Sequence, residues 1–301
     1  SNDFNWEIDI FRSDDLKKME AGAFLAVSQG NDNNSAAIIK LKYKPSNIED
    51  SKLISLIGKG IIFDTGGTNL KPFNSMLEMH IDMNGSAVAL GSLLAITKQK
   101  LPIEVDCWLA ITENRTGPLA YKSQDVVKAA NGKTIQTIHT DAEGRMVLAD
   151  TLYFASLEKP DFMIDFATLT GTCVSALTNN YSGVFTNQPY MQTILKEIGE
   201  DCGERVWPFP IGSEFLVKLK SETADLMQCA PAGGGDHILA ATFLNEFVEE
   251  DIPWVHIDLS SATNAGGLAH VPTKITGFGV RYLLNILKDN RILNNNKSKS
   301  L

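Results

Sequence analysis

Two short stretches, residues 58–82 and 140–145, put more charge among apolar residues and glycines than an ordinary core can hold. The first reads Gly-Lys-Gly-Ile-Ile-Phe-Asp-Thr-Gly-Gly, then passes through Lys71-Pro72 to Met79-His80-Ile81-Asp82. The second reads Thr-Asp-Ala-Glu-Gly-Arg. Together they carry four carboxylates (Asp64, Asp82, Asp141, Glu143), two lysines (Lys59, Lys71) and one arginine (Arg145). The adjoining runs Leu53-Ile54-Ser55-Leu56-Ile57 and Ile61-Ile62-Phe63 read as interior strands, so charges at their ends lie near the core. Burying an unpaired carboxylate costs several kcal/mol, and a converging group of four calls for compensating cations. Two divalent ions would supply +4 against −4, which predicts a metal site. Gly66, Gly67 and Gly144 allow tight turns that aim the side chains at one point. Any one of these acids alone reads more simply as a solvated surface group; the set does not, because both motifs follow apolar strand candidates.

The rest of the chain narrows the choice of chemistry. With 301 residues, 44% hydrophobic and 21% charged, it can bury a large core. A net charge of −9 and a pI near 5.1 argue against a general nucleic-acid surface. No apolar run approaches the roughly 20 residues of a membrane span and no signal peptide opens the chain, which predicts a cytoplasmic protein. The four cysteines (107, 173, 202, 229) form no Cys-x-x-Cys pair, and the five histidines form no His-Glu-x-x-His. Gly58-Lys59-Gly60 fails the dinucleotide fingerprint because Phe63 stands at its third glycine, and no Gly-x-Ser-x-Gly occurs.

Periodicity predicts strands at about 36–43, 53–63, 103–112, 161–167 and 254–259, and helices at about 14–28, 84–98, 146–158, 172–178, 190–201, 238–249 and 276–288. Asn131-Gly132 between Val126-Val127 and Thr134-Ile135 predicts a hairpin. The alternation is that of an α/β domain, with a polar, disordered tail over residues 294–301.

The motifs resemble those of the leucyl (cytosol) aminopeptidase family: Gly-Lys-Gly-x-x-Phe-Asp-Thr-Gly-Gly, Lys71 seven residues after Asp64, Asp82 eleven beyond that, and Thr-Asp-Ala-Glu-Gly-Arg. The similarity continues through Ala167-Thr168-Leu169-Thr170-Gly171 and Trp254 to Asp258, and ends in Thr276-Gly277-Phe278-Gly279-Val280-Arg281. The Pro231-Ala232-Gly233 region and the 276–281 ending look closer to the peptidase B branch.

The resemblance implies a mixed central sheet flanked by helices on both faces, with residues 1–301 as a single C-terminal catalytic domain and the family's N-terminal domain absent. It implies a metal-dependent aminopeptidase that removes N-terminal, mainly apolar residues by a two-metal activated water. Asp64 and Glu143 would bridge the metals, Lys59 and Asp82 complete the tighter site, and Asp141 complete the exchangeable one. Zinc or manganese would fit, as would magnesium or cobalt. Keeping Lys59 neutral as a ligand costs about 4.6 kcal/mol at pH 7, which ligation must offset. Lys71 would stabilise the developing oxyanion, and Arg145 would hold a bicarbonate acting as general base. Met79, Thr168, Leu169 and Gly171 would line the pocket for the first side chain. The partners implied are peptide substrates and five further copies in a homohexamer, a dimer of trimers. Alternatives are a two-metal hydrolase of another amide or ester, or a regulatory family member. His139 departs from the family's asparagine before Thr140; it is expected to pack as a neutral partner behind the ligands and not to bind metal.

Overall fold

The computed structural model describes residues 4–32, 36–46, 51–249 and 251–293; the expected disorder of 294–301 falls outside them. In chain order the strands are β1 (Glu7–Arg12), β2 (Ala37–Tyr43), β3 (Lys52–Asp64), β4 (Ile103–Asn114), β5 (Val126–Lys128), β6 (Thr134–Gln136), β7 (Phe162–Ala167), β8 (Ser182–Thr186), β9 (Val206–Pro208), β10 (Leu226–Met227) and β11 (Trp254–Asp258). Eight of them form one mixed sheet, ordered β1-β2-β4-β3-β7-β11-β8-β9, and β10-β6-β5 form a small second sheet. The central four, β4, β3, β7 and β11, run parallel, so their carboxyl ends open on the same edge. That edge is where a crevice forms in such sheets.

Helices cover both faces of the large sheet, as expected. On one face the Asn84–Gln99, Met191–Cys202 and Val280–Lys288 helices pack Leu93, Leu195 and Leu283 against Leu56, Ile164 and Ile257. On the other, the Gly22–Ser28, Glu143–Leu157 and Asp236–Asn245 helices pack Phe24, Leu152 and Phe243 with Ile57, Met163 and Trp254. Central strands buried on both faces explain the near-continuous apolar runs in the sequence. The strand period of two puts Lys59 on the same face as Ile57 and Ile61, toward the Glu143–Leu157 helix. The small-residue Asn84–Gln99 helix lies unusually close to the sheet: a Cβ on Gly85 would sit 2.0 Å from the Phe166 carbonyl oxygen.

Several boundaries differ from expectation, among them the 238–249 helix, which runs Asp236–Asn245. The first helix is two, Ser13–Lys18 and Gly22–Ser28, because Glu20 adopts φ 57° and the amides of Glu20 and Ala21 return to the carbonyls of Lys17 and Leu16. This Schellman closure lacks its usual glycine, so the sequence carried no stop signal. The expected 146–158 helix starts at Glu143, and the 276–288 helix only at Val280. The hairpin at Asn131-Gly132 forms as expected, β5 pairing antiparallel to β6 with Gly132 at φ 88°.

Asp150, fully buried on the Glu143–Leu157 helix, ties two other elements to it. Its carboxylate accepts the Phe24 amide at 2.8 Å and the Ala130 amide at 2.8 Å. Asp150→Ala would leave both amides without an acceptor, at about 1–3 kcal/mol for each group so stranded. The urea midpoint of this variant should fall with the slope of the transition unchanged, whereas a midpoint equal to the parent's would show that these bonds contribute nothing net.

Candidate metal centre

Each charged group arrives at the carboxyl edge of the parallel strands for a local reason. The β3–β4 register shifts between Ile61 and Asp64, and this bulge aims Asp64 into the crevice at the strand's end. Asp64 is 2% exposed; its Oδ1 accepts from the Gly66 amide and from Asn114 Nδ2, each at 2.8 Å. Asp82 follows a one-turn 3-10 helix, and Glu143 opens the long helix that starts at the same edge. Asp141 lies two residues before that helix, next to Thr140, which is held by several bonds. Its hydroxyl donates to the Gly66 carbonyl at 2.6 Å, and its carbonyl accepts from Tyr121 Oη at 2.9 Å and Asn114 Nδ2 at 3.0 Å.

Two lysines thread the acids. Lys59 Nζ lies 2.8 Å from Asp82, 2.9 Å from Glu143 and donates to the Thr168 carbonyl at 2.8 Å. Lys71 Nζ lies 2.9 Å from Asp64 and 2.5 Å from Asp141. Gly144 permits this closeness, since a Cβ there would lie 2.8 Å from Lys59 Nζ. Burial works against the Lys59 charge, and Asp82, Glu143 and Asp64 outweigh it, holding the ammonium well above its ordinary range. The carboxylates are not satisfied in return. Burial pushes Glu143 and Asp82 up, the charge of Asp64 pushes them further, and Lys59 only partly opposes this. Asp141 is raised by burial and by Asp64 against the pull of Lys71.

With all four carboxylates ionised, two ammonium groups would leave two negative charges uncompensated, which is why Glu143, Asp82 and Asp141 are all pushed toward their protonated forms. Carboxylate oxygens of Asp64, Asp141 and Glu143 lie within 4.8 Å of one another, and the buried Oε2 of Glu143 has no hydrogen-bond partner. Oxygen donors converging with an amine, one of them unpartnered, fit divalent cations.

All eleven residues singled out in the sequence line one cleft of about 630 Å³: Lys59, Asp64, Lys71, Met79, Asp82, Asp141, Glu143, Arg145, Thr168, Leu169 and Gly171. The loop carrying Thr168 to Gly171 is held by Asp258 at the end of β11. Its carboxylate accepts from the Leu169 and Thr170 amides at 3.2 and 3.3 Å and from Thr170 Oγ1 at 2.6 Å. Arg145 is 1% exposed, with Nη2 2.6 Å from Asp236 Oδ2 and Nη1 donating to the Gln228 carbonyl at 3.1 Å. His139 also lines the cleft, but it is exposed and not packed behind the ligands as expected; its Nδ1 accepts the Asp141 amide at 3.2 Å. Asn114, Gln228, Asp236 and Asp258 were missed in the sequence. Only Asp258, ending an apolar strand as Asp64 does, carried a readable signal.

The sequence profile of the cytosol aminopeptidase family, catalytic domain, matches residues 1–284. Among curated relatives, the chain is 42% identical over 288 residues to a "Probable cytosol aminopeptidase" of Prochlorococcus marinus, covering 95% of this chain and 58% of the relative. It is 39% identical to that of Chlorobaculum tepidum (94% and 56% covered) and 36% to that of Rickettsia massiliae (94% and 57%). The chain thus spans somewhat more than half the length of these relatives. A profile match over nearly the whole chain, at these identities and on this arrangement of acids and lysines, places the chain in the cytosol aminopeptidase family.

Proposed function

We propose that this chain is the catalytic portion of a dinuclear metalloaminopeptidase that releases apolar N-terminal residues from peptides. The observation that carries this is the buried, under-compensated acid set, with Glu143 Oε2 unpartnered, on the wall of the same cleft as Met79 and Leu169. Asp64 and Glu143 would hold both ions, Lys59 and Asp82 the tighter one and Asp141 the exchangeable one; zinc or manganese suits the donors, with magnesium or cobalt as substitutes. When bound, two divalent ions polarise a carbonyl and lower the pKa of water. Lys59 must give up its proton to become a ligand, so loading the site releases protons. Lys71 pairs with Asp64 and Asp141, two of the residues that would hold the ions, so its ammonium would be released from them in the loaded site. Its ammonium is then free to donate to the oxyanion that develops on the scissile carbonyl. An N-terminal residue brings a free α-amine to this acid-rich floor and an internal residue does not, which favours exopeptidase action.

The bicarbonate expected on Arg145 fits poorly. The guanidinium's charge is already met by Asp236, and a second anion, although the buried Nε has no partner, would have to share one cation with a carboxylate. No step here is assigned to bicarbonate. We also infer a hexameric assembly from the resemblance, and a cytoplasmic location from the name of the relatives, cytosol aminopeptidase.

Exhaustive chelation, verified by elemental analysis, should abolish hydrolysis of leucine p-nitroanilide and lower the melting temperature, because Lys59 and Lys71 alone only partly compensate the acids. Activity surviving complete metal loss would rule out the mechanism.

The two lysines should separate. Lys59→Met should lose one of two ions per chain, whereas Lys71→Met should keep both and lose most of its turnover. Two tightly bound ions in both variants would contradict the assignment of Lys59 as a ligand.

His139 Nδ1 accepts the Asp141 amide, and the side-chain oxygen of an asparagine there can do the same. His139→Asn should therefore keep the parent's metal content and turnover. Loss of an ion in this variant would show that the histidine is itself a ligand.

A further inference from the structure

A guanidinium as buried as that of Arg145 needs a fixed counter-charge, because an unpaired ion removed from water is strongly disfavoured. Among the described residues the carboxylate paired with it is Asp236, with Nη2 to Oδ2 at 2.6 Å. Unlike Arg145, Asp236 is not itself buried: its side chain is 37% exposed and lines the cleft with the metal-centre acids. The carboxylate therefore presents an oxyanion to the cleft while resting on the arginine.

Its position is fixed from both sides. Asp236 opens the ten-residue Asp236–Asn245 helix, whose dipole favours an anion there, and it follows Gly233-Gly234-Gly235 with Gly235 at φ 80°. The next residue, His237, donates its amide to Thr172 Oγ1 at 2.9 Å, and its Nδ1 lies 3.1 Å from the same hydroxyl. Thr172 directly follows Gly171 of the pocket loop, so the chain from Arg145 through Asp236 to Gly171 is continuous.

We propose that Asp236 is the resident anion of Arg145, a positioning residue standing where an exchangeable oxyanion such as bicarbonate or formate would otherwise bind. It rests on the metalloaminopeptidase reading. The reaction in this chain then proceeds without an external anion, and Asp236 acts through Arg145 to keep an acceptor oxygen on the wall of the cleft that Glu143 also lines.

The test uses the metal-loaded protein in carbon-dioxide-free buffer, with sodium bicarbonate and sodium formate as probes against matched chloride. For the parent, kcat/KM and the melting temperature should stay unchanged by either anion. Asp236→Ala should keep both metals and lose about 10- to 100-fold in kcat/KM, as removal of a positioning carboxylate typically does. Millimolar formate or bicarbonate should recover much of that loss and raise the variant's melting temperature, and Asp236→Glu should retain more activity than Asp236→Ala. Should the alanine variant not fold, Asp236→Asn, which keeps the shape and removes the charge, serves in its place. A parent rate that rises with bicarbonate would overturn the proposal, and so would a variant whose rate and melting temperature ignore both anions. The anion-dependent melting shift is read also on metal-free protein. Failure of the metal mechanism would therefore appear as chelator-insensitive activity, separately from any failure of the anion assignment.

Discussion

Mutual repulsion among Asp64, Asp82, Asp141 and Glu143, drawn together at the carboxyl ends of parallel strands, is the constraint on which the rest of this structure depends. Water cannot screen it, because three of the four are at most 6% exposed. Lys59 and Lys71 relieve part of the strain, and each is shared between acids. A network that remains two charges short is a poor way to stabilise a fold, since a buried ion set usually does no better than the apolar residues it displaces. The cluster is better understood as stability given up for cation binding, held in place by the two-faced apolar packing of the sheet beneath it.

That packing explains how much of the architecture was legible. Strands β3, β4, β7 and β11 are buried on both faces, so their apolar runs stand out, and they position Asp64, Thr168 and Asp258. Strand β1 went unread although Glu7 to Arg12 alternates, because Ile8 and Ile10 are exposed on an edge strand; β9 and β10 are too short to carry a period. The break at Glu20 was hidden because a non-glycine residue occupies the left-handed position.

The site itself was legible where it breaks local rules, with charge inside apolar strands and glycine beside acids, as functional sites do. It was illegible where a partner comes from far along the chain. Asn114 lies 50 residues from Asp64, and Asp236 lies 91 from Arg145; the triple glycine before Asp236 marks a turn but does not say which cation it faces. Arg145 shows what this costs. From the sequence it was a free cation at a helix start, suited to an external anion, and in the fold it is a buried cation already paired with Asp236.

The most direct measurement of the central claim is anomalous diffraction from crystals grown with zinc or manganese, collected on either side of the metal edge. Two peaks per chain should appear within the 630 Å³ cleft. Both should touch Asp64 and Glu143, one should also touch Lys59 and Asp82, and the other Asp141. A single peak, or peaks that leave Lys59 Nζ still bonded to Asp82 and Glu143, would contradict the account.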